Sequence, residues 1–204
     1  RGMGGSVNAV IDSPYAIKGT TWVGGAIGTL SLSGSGDNGT VKSVINAADS
    51  VSANNEAGGC IGQMVGLGIA GTPATLKSVE TVIGDEASIV EFSPITGNNS
   101  MGGSIGLLKG NVKIGSVSTT VNTTGNLIKC VNGNQKYFGG VVGRMTEGCI
   151  IDDAQLKGKA ETAKLVTDAG YVGGIAGAVE AGCTVSDMLG EVPVDIEGSY
   201  DVSG

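Results

Sequence analysis

The sequence predicts an all-β chain: a single-stranded parallel β-helix, right-handed, of about six coils. Two observations predict it. A glycine-rich heptapeptide recurs along the chain, and the apolar residues around it are small or β-branched, with almost no rings. Gly supplies 38 of 204 residues and aromatics 3%, beside 40% hydrophobic and 15% charged residues. Glycine-rich chains often bury too little apolar surface to fold. Here the apolar material is present, and its size suits layers packed closely at the backbone.

The heptapeptide reads WVGGAIG at 22–28, EAGGCIG at 56–62, SMGGSIG at 100–106, YFGGVVG at 137–143 and YVGGIAG at 171–177, with a weaker first copy, GMGGSVN, at 2–8. The first Gly of each pair is Gly4, Gly24, Gly58, Gly102, Gly139 and Gly173, at intervals of 20, 34, 44, 37 and 34 residues. Loops of different length on a fixed coil give this variation. The residue before the pair is Met3, Val23, Ala57, Met101, Phe138 or Val172, and three after its first Gly stands Val7, Ile27, Ile61, Ile105, Val142 or Ala176. The second glycines (Gly5, Gly25, Gly59, Gly103, Gly140, Gly174) lie midway. A period of two puts these three positions on one face of a strand, which reads apolar, Gly, apolar. A side chain at the middle position would strike the opposite wall of a narrow interior.

Stacking such strands about 4.8 Å apart aligns the columns into ladders and makes the interior continuous. A second strand is expected from the Gly-Cys pairs, over CIIDDAQL after Gly148 and CTVSDMLG after Gly182, which puts Asp153 and Asp187 in one column. A third is expected over VPVDIEG at 192–198. Three strands in about 34 residues describe a triangular coil. LKSVETVI at 76–83 fits strand or helix, residues 160–168 have helix-forming composition, and 31–55, 66–100 and 124–136 are expected as irregular loops. The domain organisation is one solenoid over 1–204, in units of roughly 1–20, 21–55, 56–99, 100–136, 137–170 and 171–204.

The recurring G-G-[aliphatic]-[aliphatic]-G, followed in the last two copies by a Gly-Cys strand, resembles the GLUG-motif repeats of large bacterial surface and secreted proteins. The resemblance spans nearly the whole chain as a period, although the first four copies lack the Gly-Cys. It implies an extracellular repeat region of adhesin-like context, and it carries no catalytic residue onto this sequence.

A net charge of −7, with 12 basic and 19 acidic residues, gives no cluster of Lys and Arg for a phosphate backbone, so nucleic acid is not an expected partner. No apolar run reaches the roughly 20 residues that cross a bilayer as a helix. The chain begins at Arg1 and reads as a mature product or a piece of a longer solenoid.

There is no histidine, which removes Ser-His-Asp, Cys-His and His-metal constellations. The four cysteines, Cys60, Cys130, Cys149 and Cys183, show no zinc-like spacing. Cys149 and Cys183 share a column and read as packed thiols, because side chains in a parallel stack point the same way and bridge poorly. Asp153 with Asp187 is the candidate metal site. The two carboxylates either face solvent without a task or share a calcium ion; no other cofactor is expected. GGAIG and its relatives lack the spacing and the Lys of phosphate loops, so Gly24, Gly25, Gly58, Gly59, Gly102, Gly103, Gly139, Gly140, Gly173 and Gly174 read as structural. The rings of Tyr15, Trp22, Tyr137, Tyr171 and Tyr200 look too dispersed for a saccharide platform.

No enzyme is expected. The function the sequence supports is a non-catalytic structural and adhesion module at a bacterial surface or outside the cell, presenting loops to a protein or glycan ligand. The alternative is a filament or surface-layer subunit joined to other copies through open solenoid ends. A carbohydrate-active enzyme comes third.

Overall fold

The computed structural model describes residues 5–12, 17–36, 39–46, 51–69, 71–84, 90–92, 99–122, 126–130, 136–158, 163–167, 170–191, 194–198 and 202–203. Among them there is no helix, and every strand pairing is parallel. The chain is a β-solenoid, with stacks four strands deep in one sheet and six deep in another. Val is the commonest strand residue and Ile is frequent, as a pleated, half-buried surface favours, beside the glycines of the repeat.

One wall stacks the short strands that open each heptapeptide: Trp22–Gly24, Glu56–Gly58, Asn99–Gly102, Lys136–Gly139 and Tyr171–Gly173, then Val202–Ser203. A second wall carries Ile27–Leu32, Ile61–Leu67, the first part of Ile105–Val121, Val142–Thr146 and Ala176–Val179. The third holds Ser6–Ile11, Thr40–Ile45, Ala74–Ile83, the rest of Ile105–Val121, Ile150–Gly158 and Thr184–Glu191. Strand Ile105–Val121 runs through both, so the second and third walls form one sheet. A fourth set stacks Val90–Phe92, Asn126–Cys130, Ala163–Thr167 and Val194–Gly198, and Ile17–Lys18 pairs with Val51–Ser52.

The heptapeptide is therefore not one strand. Its first three residues belong to one wall and its last to the next, and the chain bends at the second glycine and the residue after it. The coil has four strand segments where three were expected. The apolar positions still face inward: Ala57, Met101 and Phe138 are fully buried, as are Ile61, Ile105 and Val142 across the bend. On the third wall, Val41, Val79, Val117 and Ala154 stack in register and are buried, as are Ile45, Ile83 and Val121.

Glycine at the bend has a geometric cause. A Cβ on Gly59 would stand 2.2 Å from the carbonyl oxygen of Gly103 in the next coil and 2.7 Å from Thr81 Cγ2 across the interior. The opposite wall is thus the second obstacle, and the stacked backbone is the first. The expected Gly-Cys starts also have a backbone reason, since Gly148 and Gly182 adopt φ of 83° and 84°, the left-handed region that favours glycine.

Several expectations are corrected. Ser6–Ile11 pairs with Thr40–Ile45, Val7 opposite Val41, so the weak first copy does not stack on the other heptapeptides; its residues 1–4 lie outside the described residues. LKSVETVI lies in strand Ala74–Ile83, and the helix-like stretch contains strand Ala163–Thr167, paired on both sides. The three expected loop regions hold strands Thr40–Ile45, Val51–Ser52, Ala74–Ile83, Val90–Phe92 and Asn126–Cys130. Rung-to-rung pairing overrides weak local preference in each case.

Candidate functional site

Opposite each bend, one inward column of the third wall reaches across the interior. Ser43, Thr81, Thr119, Leu156 and Gly190 follow one another in register. The second glycine of each pair faces this column: a Cβ on Gly25, Gly59, Gly103 or Gly140 would stand 2.6–2.7 Å from the side chain of Ser43, Thr81, Thr119 or Leu156. Ser104 Oγ lies 2.8 Å from Thr119 Oγ1 and donates to the Ser118 carbonyl at 2.7 Å, both contacts inside the stack. Polar Ser104 thus faces polar Thr119 inside the stack, and apolar Leu156 faces Gly140 one coil further along.

The cysteines belong to this interior. Cys60, Cys149 and Cys183 are free thiols, the first two buried; the side chain of Cys130 lies outside the described residues. Burial pushes the Cys60 thiol up to about 12, with the charge of Glu80 adding to it and the Thr81 hydroxyl opposing it. Burial, then the neighbouring Cys183, raises Cys149 further still. Its sulfur sits 2.9 Å from the Thr146 carbonyl and 3.2 Å from that of Gly110. Such thiols are inert, because the thiolate is the nucleophile.

Asp153 and Asp187 are register partners on adjacent rungs, where Ser116 precedes them in the column. They stand at an outer corner: Ile151 and Ala154 point inward, while Asp152 and Asp153 are both partly exposed. Gln155 Nε2 donates to Asp153 Oδ2 at 2.6 Å, and Lys113 pairs with Asp152 at 2.9 Å. Calcium takes about six to eight oxygen ligands. Among the described residues, no group of three or more His, Cys, Asp or Glu comes together to hold a metal.

The rings are less dispersed than the sequence suggests. Trp22, Glu56, Ser100, Tyr137 and Tyr171 form one outward column of the first wall. Tyr137 and Tyr171 stack with centroids 5.3 Å apart and planes at 11°. The Arg144 guanidinium lies 4.7 Å over the Tyr137 ring, and its Nε donates to Glu180 at 2.7 Å. Tyr15 and Tyr200 lie outside the described residues. Further along the column, burial raises the Glu56 carboxyl, against the opposing influence of Lys109, the Trp22 indole N–H and Arg144. Glu56 Oε2 and Ser100 Oγ are buried without a hydrogen-bond partner. This crease was readable in the sequence, since its members are the first letters of the five aligned heptapeptides.

Sequence reasoning named the open ends of the stack but not the cavity at one of them. A cavity of about 440 Å³ opens beside Gly173–Ala176, lined also by Leu156, Val179, Met188 and Gly190. Its residues occupy inward columns, yet Met188 is 64% and Val179 47% exposed. At the opposite end Val7, in the same column as Met188, is 41% exposed.

No protein-family model, curated protein or solved structure matches the chain.

Proposed function

We propose that the chain is a non-catalytic structural and binding module of a bacterial cell-surface or secreted protein, a right-handed solenoid of about six coils that presents its outer face to a protein or glycan. The observation that carries this reading is the division of labour between the two faces. Apolar and small polar columns fill the interior continuously from coil to coil. The outer face carries rung-to-rung ladders: the Tyr137–Tyr171 stack, and the ion pairs Lys42–Glu80, Lys113–Asp152 and Arg144–Glu180. A rigid stack with an exposed aromatic and charged edge is suited to display, and aromatic and Arg side chains are the usual anchors of recognition surfaces.

The test is saturable binding to a panel of immobilised glycans and extracellular matrix proteins, repeated with Tyr171→Ala and Arg144→Ala. Binding weakened by those substitutions supports the reading. Release of new reducing ends from a glycan would replace it with an enzymatic one, and no saturable binding to any member of the panel would remove it.

A further inference from the structure

Two of the four cysteines are neighbours across a rung, and the other two are not. Ile150 pairs with Thr184 in register, and the Thr184 N–H donates to the Cys149 carbonyl at 2.9 Å. Cys149 and Cys183, one residue earlier on each strand, therefore stand one above the other. Their thiols are within hydrogen-bond reach of each other. Cys60 lies instead between Ala26 and Ser104, and the register partners of Cys130 are Phe92 and Thr167.

Packing alone does not ask for cysteine here. The same column holds Ala74 and Val112 in the two preceding coils, 1% and 0% exposed. Nor are the two thiols held by the pleat of a parallel sheet, whose side chains point the same way and bridge poorly. Strands Ile150–Gly158 and Thr184–Glu191 begin one residue after them, and Gly148 and Gly182 before them turn the chain with φ of 83° and 84°. The cysteines sit on the corner, outside the pleat. Their Cα atoms are one rung apart, about 4.8 Å, inside the range of about 4.4–6.8 Å that a disulfide spans.

We propose that Cys149 and Cys183 are a cross-link site: in an oxidising compartment they join as a disulfide that staples the coil carrying Tyr171 to the one before it. The oxidant is a low-molecular-weight disulfide. The Cys183 thiolate attacks one of its sulfurs and expels one small thiolate; the Cys149 thiolate then attacks the Cys183 sulfur and expels the second. The protein's two thiols become one disulfide, and the oxidant leaves as two thiols. Burial holds the proton on Cys149 once the chain is folded, so the bond closes while these strands dock and is shielded from reduction afterwards. The loop it closes, from residue 149 to 183, contains strands Ala163–Thr167, Tyr171–Gly173 and Ala176–Val179, and closing it removes freedom from the unfolded chain. Of the proposed function the inference uses only the oxidising setting outside the cell; it is indifferent to the ligand.

The test refolds the whole protein from urea in a mixture of oxidised and reduced glutathione. Mass spectrometry of a tryptic digest is expected to join the peptide of residues 145–157 to that of residues 165–204, with Cys60 and Cys130 still open to alkylation. The oxidised protein melts roughly 5–15 °C higher than the reduced one, and Cys183→Ala abolishes the difference. Folded, reduced protein forms the bond more slowly than refolding protein does. A variant carrying Cys60→Ser and Cys130→Ser keeps both the bond and the shift, which separates the cross-link from any folding defect of Cys183→Ala. Retention of all four thiols under oxidising conditions overturns the proposal. A bond to Cys60 or Cys130 overturns it too, as do equal melting temperatures of the oxidised and reduced forms. Each of these results leaves surface display standing, because ligand binding is measured equally on the reduced protein.

Discussion

Replacing Gly140 by Val attacks the stack at its tightest point. A Cβ there would lie 2.2 Å from the Gly174 carbonyl oxygen and 2.7 Å from Leu156 Cδ2, while ordinary contact begins at 3.4 Å. The Leu side chain can rotate away, but the carbonyl belongs to the neighbouring coil and must move by about 1 Å. That displacement pulls apart the backbone bonds from Gly140 N to Gly173 O at 3.2 Å and from Val141 N to Ile175 O at 3.0 Å. Overpacking costs about 1–3 kcal/mol, and each buried backbone group left without a partner about 1–3 kcal/mol more. With partial relaxation, roughly 3–5 kcal/mol is expected, a large share of a typical stability of about 5–15 kcal/mol. For a chain of this size that lowers the melting temperature by roughly 6–20 °C. The assay is thermal and urea unfolding by circular dichroism, with Gly190→Ala as the partner variant. Nothing lies within 4 Å of a Cβ at Gly190, so this change should be neutral, or stabilising by about 0.4–1 kcal/mol through the unfolded chain. Equal melting temperatures for Gly140→Val and wild type would refute the close-packed bend.

Other consequences are open to measurement. The raised thiols make stability depend on alkaline pH. Cys60 ionises at about 9.0 when unfolded and about 12 when folded, so the native state retains a proton that the unfolded state loses. Its contribution is complete below pH 9 and declines by about 1.4 kcal/mol per pH unit above it; unfolding midpoints unchanged between pH 8 and about 10.5 would contradict the burial of Cys60 and Cys149. Arg144→Ala removes both the contact over Tyr137 and the pair with Glu180, which is partly exposed. A loss of about 1 kcal/mol is expected, partly reproduced by high salt in the wild type, and no change in urea midpoint would show the ladder to be inert. Millimolar calcium should leave the melting temperature where a chelator leaves it, since among the described residues no group of three or more acidic or other ligating side chains forms around Asp153 and Asp187. A rise that Asp153→Asn abolishes would establish the metal site.

The sequence made the stacking legible because each column is chemically uniform. Val23, Ala57, Met101, Phe138 and Val172 announce an inward position, and Gly148-Cys149 and Gly182-Cys183 announce the start of a strand. What stayed hidden was the bend inside the heptapeptide. Period-two spacing in WVGGAIG describes an extended strand and a sharp corner equally well, and the two glycines have separate causes: a Cβ on the first would strike a carbonyl of its own coil, as Gly58 would strike Ile61 O, and a Cβ on the second the carbonyl of the next coil. Segments of two or three residues, such as Ile17–Lys18 or Val90–Phe92, carry no periodicity, so they merged into expected loops. The first copy misled because four letters of GMGGSVN outweighed a better match: SVNAVI at 6–11 repeats the apolar spacing of TVKSVI at 40–45. The aromatic column was present in the aligned heptapeptides, but distance along the chain concealed that Tyr137 and Tyr171 are one rung apart. The end cavity was not readable, because an empty space has no letter of its own until Gly190 is placed above Leu156.

The stacking itself is tested most directly by distances along one outward column. Asn8, Lys42, Glu80, Ser118, Gln155 and Leu189 are successive register partners. Spin labels on Lys42→Cys and Leu189→Cys, in a background otherwise free of cysteine, should lie about 19 Å apart, four rungs at about 4.8 Å each. Moving the first label to Asn8→Cys should lengthen the distance by one rung, to about 24 Å. Distances that grow by one rung for each coil confirm a solenoid in this register; distances that fail to grow, or that scatter broadly, contradict it.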